Sequence, residues 1–317
     1  MNYAIVVPCY NEEAVLNETT GRLLEVMQRV AEKHADLQGR IVYVDDGSSD
    51  GTWPLIGSLS KQHPQVMGLK LAHNAGHQHA LWAGLEWAAA HVDAAISIDA
   101  DLQDDVNVIP EMIDLFLGGK DIVYGVRRDR PTDTWFKRTT ALAFYKLMSK
   151  LGGDIVYNHA DYRLLGARAL DALAEFREVN LFLRGIVPLV GFRSTSVYYE
   201  RHERMAGESH YPLSKMLALA VNGITSLSVK PIRLITWTGL AVALASLVAI
   251  VWVLVAHAAG ATVAGWASTT AAVCFMGGVQ MLSLGVIGEY VGKIYLESKH
   301  RPRWIISERT WEKDEEE

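Results

Sequence analysis

The stretch "SIDADLQDD", Ser97 to Asp105, closes an apolar run with four carboxylates: Asp99, Asp101, Asp104 and Asp105. Two acids two residues apart beside an apolar segment repel one another unless a cation lies between them. Mg²⁺ or Mn²⁺ suits carboxylate oxygens shared with phosphate. Alone, the D-x-D pattern fits a solvated loop equally well. Two other segments place polar groups after apolar runs: "VVPCYNEE" at 6–13 and "VDDGSSDGT" at 44–52. Neither is a glycine-rich phosphate cradle. G-x-G-x-x-G is missing after the first run and G-x-x-x-x-G-K-S is missing throughout, which disfavours a nicotinamide dehydrogenase or a P-loop NTPase. His73, His77 and His79 in "HNAGHQH" invite a zinc reading. Asn74 and Gly76 interrupt the helix that would align 73 with 77, and a fourth ligand is lacking, so a structural loop is expected.

The elements that must hold these groups follow from periodicity. "YAIVVP" (3–8), "RIVYVDD" (40–46), "VMGLKLA" (66–72), "AAISIDAD" (94–101) and "DIVYGV" (121–126) read as strands, rich in Val and Ile, with helix-like segments between them. Strands buried on both faces and alternating with helices imply an α/β fold with a doubly wound, mostly parallel sheet, whose ligands sit beyond the carboxyl ends of its strands. Asp99 and Asp101 stand at such an end. Farther on, "ARALDALAEF" reads as a helix and "RSTSVYYERHER" as strand-like.

Composition narrows the function. The 317 residues carry a net charge of −6, which speaks against a nucleic-acid binder resting on a basic surface. Cys9 and Cys274 are too far apart in sequence and context to suggest a disulfide framework, and Cys9 is read as packing. The N-terminus lacks a secretory signal pattern. From Leu234 to Gly288 there is no Asp, Glu, Lys or Arg, ample for two membrane spans of roughly 20 residues each, near 234–256 and 268–291. Their connection has no Lys or Arg, whereas Lys230, Arg233, Lys293, Lys299, Arg301 and Arg303 flank them, which puts both termini in the cytoplasm. The expected organisation is a catalytic domain over 1–211 and a juxtamembrane region over 212–233, read either as an interfacial helix or as a core helix. Two transmembrane helices over 234–291 and a cytoplasmic tail over 292–317 complete it. Glycines in the second span would let a neighbouring copy pack, so a homo-oligomer is a further expectation.

Taken in order, "VVPCYNEE", "VDDGSSDGT", "NAGHQHAL", "DADLQDD", "YGVRRDR" and "DYRLLGARAL" resemble family 2 glycosyltransferases of the GT-A fold. With two C-terminal spans and "GEYVGKIYLESKHRPRWII" after them, the chain is most similar to the polyprenyl-phosphate glycosyltransferases, the group of bactoprenol glucosyltransferases and dolichyl-phosphate mannose synthase. The resemblance implies that Pro8, Tyr10, Asn11 and Glu12 form a nucleotide-contacting loop and that Asp45 and Asp46 meet the base and ribose. It makes Asp99, Asp101 and Gln103 the D-x-D-x-Q element that holds a divalent ion on the donor diphosphate. Arg127 becomes the basic residue after the fifth strand. Asp161 and Arg163 become an acceptor-side pair, and Arg138, Arg201 and Lys215 candidates for gripping diphosphate or lipid phosphate. For these last positions a buried salt bridge or a surface cation is the competing reading. His73 stands where relatives often carry Arg.

The implied reaction is inverting transfer of a hexose, glucose favoured, from a UDP-sugar to undecaprenyl phosphate. Asp101, Arg127 and Asp161 are its catalytic candidates, and the catalytic domain faces the cytoplasm at the inner membrane. Mannose, galactose or a modified aminopentose are alternative sugars. A phosphate monoester has a second pKa near 6, so the nucleophile is largely ionised at neutral pH, and Asp161 is expected to orient it more than to take a proton. Rival classes are a phosphohydrolase, a sugar-nucleotide sensor and a flippase or channel subunit. The phosphohydrolase would want its nucleophilic Asp after the first strand, where Pro-Cys-Tyr-Asn stands.

Overall fold

In a computed structural model, residues 1–128, 159–178, 182–200, 229–259 and 265–311 are described. The strands are β1 (Asn2–Cys9), β2 (Gln38–Asp45), β3 (Val66–Leu71), β4 (Ala94–Ser97), β5 (Ile122–Arg127), β6 (His159–Gly166), β7 (Ser194–Tyr199) and β8 (Ile306–Arg309). The helices are α1 (Leu16–Lys33), α2 (Thr52–Gln62), α3 (His77–His91), α4 (Ile109–Leu117), α5 (Ala167–Ala174), α6 (Leu183–Leu189), α7 (Lys230–Ala258) and α8 (Trp266–Ser298).

The strands form an eight-stranded sheet in the order β7-β5-β6-β4-β1-β2-β3-β8. Because side chains alternate along a strand, β1 feeds two cores at once. Ile5 and Val7 join Leu16, Leu23, Ile41 and Ile96 under α1 and α4, while Ala4 and Val6 join Val42, Val44, Leu81 and Trp82 under α3. Helix α3 lies very close to the sheet: a Cβ on Gly84 would stand 2.3 Å from Val6 Cγ1 and 2.9 Å from Val44 Cγ2. The chain winds outward from β1 to β2 and β3, then crosses back to β4 on the other side of β1. That reversal opens a crevice at the carboxyl ends of β1 and β4, the place where doubly wound sheets bind ligands.

All five expected strands are present, the fourth ending at Ser97, so the D-x-D acids lie in the turn beyond it. Two strands were not expected. β6 runs antiparallel between β4 and β5, which brings its first residues, including Asp161, to the edge where β4 ends. Its central position hides in the sequence because Asp161 and Arg163 interrupt what would otherwise be an apolar run. β8 pairs antiparallel with β3, so the segment read as a tail from 292 onward returns to the domain. It is held there because Trp304, Ile306 and Trp311 pack on the α3-side core and Ala72 N–H donates to Ile305 O at 2.8 Å.

Helices α7 and α8 have 29 and 33 residues. Among the described residues no helix is long and apolar enough to cross a membrane. The spanning expectation therefore rests on the uncharged run in the sequence. Residues 212–228 of the juxtamembrane region, Lys215 among them, fall outside the described residues, as do Arg138 and Arg201.

Candidate active site

Pro8, Cys9, Tyr10, Glu12, Asp46, Asn74, Gly76, His77, Ala80, Asp99, Ala100 and Asp101 line a cleft of about 220 Å³ at the β1–β4 crevice. Six of the residues singled out from the sequence, Pro8, Tyr10, Glu12, Asp46, Asp99 and Asp101, are thus brought together. Two of its turns hold left-handed residues that are not glycine, Asn11 (φ 56°) and Leu102 (φ 54°). Asn accepts this conformation readily, whereas for Leu it stores roughly 1–3 kcal/mol of local strain. In the D-x-D turn, Gln103 N–H donates to Asp101 Oδ1 at 3.1 Å, which fixes the Asp101 carboxylate within its own loop.

Asp99 and Asp101 open the acidic stretch, and the acids after them have structural duties. Asp105 caps the 3₁₀ turn at Val106–Val108 through Asn107 N–H at 3.0 Å. Asp104 is buried and receives Arg127 Nη2 at 2.8 Å and the Tyr199 hydroxyl at 2.6 Å. Arg127 is therefore tied at the β5 edge. Burial works against its charge, yet Asp104 and Tyr199 beside it raise its pKa further, so it stays a cation.

The two nucleotide-side acids are placed differently from one another. Asp46 is buried, with Oδ1 accepting from Ala75 N–H at 2.7 Å and Oδ2 from Gly76 N–H at 2.9 Å. It pins the "NAGH" loop as well as facing the cleft. Gly76 (φ +96°) precedes α3, and Gly47 (φ +69°) is so close to this loop that a Cβ would stand 2.8 Å from Asn74 N. Both positions demand glycine. Asp45 is fully buried and does not line the cleft; Ser48 N–H reaches its Oδ1 at 3.2 Å and its Oδ2 has no partner among the described residues. Asn11 uses its side-chain oxygen on Ser49 N–H at 2.9 Å, stitching the first loop to the second. The Cys9 thiol is pushed far up by burial and by the acids around it, so it is inert packing.

His77, the first residue of α3, links the cleft to a second cluster. Its Nε2 stands 3.5 Å from Asp99 Oδ1 and 3.8 Å from Asp161 Oδ2. Asp161 accepts from Arg163 Nη2 at 2.6 Å, from Arg184 Nε and Nη2 at 3.3 Å each, and from Gln78 Nε2 at 3.3 Å. Burial alone would raise its pKa, but Arg184, Arg163 and His77 hold the carboxyl well below the usual range. A carboxylate so engaged is a weak base and a firm scaffold. Arg184 and Gln78 were not picked out from the sequence. The signal was a single cation inside the apolar stretch "LFLRGIVPLVGF", an unusual place for a charge without a partner.

Asp99 keeps 35% of its side chain open. Burial of the rest raises its pKa to about 6, with Asp161, Asp104 and Asp101 adding repulsion and His77 opposing. A divalent cation between Asp99 and Asp101 would relieve that crowding. The donors are oxygens, as Mg²⁺ and Mn²⁺ prefer. Among the described residues no group of three or more His, Cys, Asp and Glu side chains is placed to hold a metal. The histidines do not converge either: His79 Nδ1 is 2.8 Å from Ala75 O, whereas His77 Nε2 faces Asp99 and Asp161.

Residues 4–173 match glycosyl transferase family 2, and residues 230–294 match the GtrB C-terminal hairpin. The chain is 52% identical over 303 residues to the uncharacterized glycosyltransferase YkoT of Bacillus subtilis, covering 95% of this chain and 90% of that one. It is 39% identical over 311 residues to the bactoprenol glucosyl transferase of Shigella phage SfV, covering 96% and 98%. To the prophage bactoprenol glucosyl transferase homolog of Escherichia coli K12 it is 38% identical over 308 residues, covering 96% and 98%.

Proposed function

The chain belongs to glycosyl transferase family 2, and from that premise we propose that it moves a hexose, glucose in the favoured case, from a UDP-sugar to a polyprenyl phosphate held in a membrane. The observation that carries the reading is the pair Asp99 and Asp101 in one cleft, with the Asp161 cluster beside it and His77 within 3.5 Å of Asp99 and 3.8 Å of Asp161. One end of such a site suits a donor diphosphate neutralised by a cation, and the other suits a second phosphate.

In the proposed reaction an oxygen of the lipid phosphate attacks the anomeric carbon opposite the diphosphate. The new C–O bond forms as the bond to the diphosphate breaks, and UDP leaves with the electron pair. Pro8, Tyr10 and Glu12 wall the donor end of the cleft. Asp99 and Asp101, with Gln103 beside them, would hold Mg²⁺ or Mn²⁺, which supplies positive charge against the diphosphate. Arg127, kept cationic by Asp104, adds to that charge from the β5 edge. The nucleophile is already ionised, so Asp161 is not needed as a base and serves to set the cations around it.

The acceptor's alkyl chain keeps it in the bilayer, each buried CH₂ being worth roughly 0.8 kcal/mol, so the site must come to the headgroups. We assign that task to the uncharged stretches 234–256 and 268–291 as two spans with both termini cytoplasmic. The support is the uncharged run from Leu234 to Gly288 and the outward exposure of Trp237, Leu247, Val251, Phe275 and Leu282. Packing of a second copy against the glycines of α8 belongs to the same proposal.

Membranes carrying the protein, mixed with labelled UDP-glucose and polyprenyl phosphate, should accumulate label in the lipid phase, lose it with EDTA and regain it with Mn²⁺ or Mg²⁺. A donor panel including GDP-mannose and UDP-galactose decides the sugar. Donor binding without lipid labelling from any donor would sink the transferase reading in favour of a sensor, and ion flux without transfer would favour a channel.

A further inference from the structure

The acid turn between β4 and α4 contains a residue that does not hold its shape unaided. Leu102, buried between Asp101 and Gln103, has φ 54°, a conformation that a leucine keeps only where its surroundings over-determine it. Upstream, the turn is fastened by the Thr19 hydroxyl, which donates to Ala100 O at 2.7 Å. Downstream, the fastening comes from the far half of the sheet. Asp104, its side chain 1% exposed, receives the Tyr199 hydroxyl at 2.6 Å beside Arg127 Nε and Nη2 at 3.0 and 2.8 Å, all on Oδ1. Its Oδ2 is buried with no partner among the described residues, so the carboxylate is aimed by what holds Oδ1. The Tyr162 hydroxyl donates to Asp105 O at 3.1 Å. Tyr199 ends β7 and Tyr162 lies in β6, and their buried rings meet edge to face with centroids 5.4 Å apart. Burial and the Asp104 charge push both phenols up, so each stays protonated and remains a donor. A buried carboxylate stripped of such a donor loses a charge-assisted bond that no solvent replaces.

We propose that Tyr199 and Tyr162 are positioning residues for the acid turn: by holding Asp104 and the Asp105 carbonyl they keep Leu102 left-handed and so set the spacing of the Asp99 and Asp101 carboxylates. The link is short, because Asp104 is two residues from Leu102 and three from Asp101, too few for a displacement to be absorbed before it reaches the acids. Its consequence for a cation rests on the reading that Asp99 and Asp101 hold a divalent ion. Groups that orient a metal's ligands without touching the metal typically change its affinity by about 10- to 100-fold when removed. The far strands β6 and β7 thereby serve the donor side of the cleft, although neither tyrosine lines it.

The test uses the full-length protein in detergent, as wild type, Tyr199→Phe, Tyr162→Phe and, as a control, Tyr43→Phe, which removes another buried phenol bond, the one between β2 and Thr20 Oγ1 at 2.8 Å. Mn²⁺ affinity in the presence of UDP, read well below Tm from the electron paramagnetic resonance of the free ion, should weaken at least about 10-fold in Tyr199→Phe and about 2- to 10-fold in Tyr162→Phe, and stay within about twofold in Tyr43→Phe. Hydrogen exchange in the metal-free protein should quicken about 10-fold on peptides within 97–108 in Tyr199→Phe and stay unchanged in β1 and β2. An unchanged Mn²⁺ affinity in Tyr199→Phe, or an equal loss in Tyr43→Phe, would reduce the tyrosines to core packing and overturn the proposal. If the wild type binds no Mn²⁺ with UDP while exchange over 97–108 still quickens in Tyr199→Phe, the cation reading fails and the positioning of the turn stands. If exchange there is unchanged, the positioning itself is refuted.

Discussion

Replacing Asp161 by Asn tests whether this carboxylate is a scaffold or a proton acceptor. The substitution keeps the shape and removes the charge that Arg163 and Arg184 share. Arg163 is sealed from solvent, so stripping its counter-charge should cost about 3–5 kcal/mol, the usual penalty for breaking a buried pair from one side. The Arg184 contact is a third exposed and adds at most about 1 kcal/mol. Together about 3–6 kcal/mol, at about 2–4 °C per kcal/mol for a domain of this size, should lower Tm by roughly 6–24 °C. The pH dependence has a definite sign. The folded pKa is depressed, so the stabilisation is fully present above the unfolded value of about 3.9 and fades only as pH falls through the folded value. Differential scanning fluorimetry and kcat at saturating lipid, both from pH 5 to 9, read the two consequences. Wild-type kcat should show no limb belonging to Asp161 in that window, and the variant should lose rate by a similar factor at every pH. A wild-type acidic limb that vanishes in Asp161→Asn, with Tm unchanged, would establish a general base and refute the scaffold.

Three further outcomes follow from the packing and charge. Asp99→Asn and Asp101→Asn should each lower transfer by at least about 100-fold. Because Asp99 is crowded by like charges, Asp99→Asn should leave Tm equal or higher, and a clear fall in the same melting assay would contradict the crowding. Gly84→Ala forces a methyl against Val6 and Val44 and should cost about 1–3 kcal/mol in chemical denaturation; an unchanged midpoint would show that α3 can shift. Trp304 lies under the Arg303 guanidinium at 4.6 Å and packs on the α3-side core, so Trp304→Ala should lower stability by about 1–3 kcal/mol. It should also raise the donor KM, since Ile305 O holds Ala72 immediately before the "NAGH" loop.

The alternation of Val- and Ile-rich runs with helical segments determined the wound sheet, because burial on both faces leaves a continuous apolar signature that period alone reveals. Polar clusters at the ends of those runs likewise placed Pro8, Tyr10, Glu12, Asp99 and Asp101 at one edge, since parallel strands all end on the same side. Which acids there would be tied to distant parts of the chain was not legible. Asp46 answers to the amides of Ala75 and Gly76, and Asp104 to Arg127, across separations in sequence that only chain crossing brings together. The same holds for β8, whose partner β3 lies more than two hundred residues earlier, and for the contrast between Arg163 and Arg184. Residue type gives two arginines the same chemistry. Burial of one and partial exposure of the other is a property of the packed sheet, which residue type does not carry.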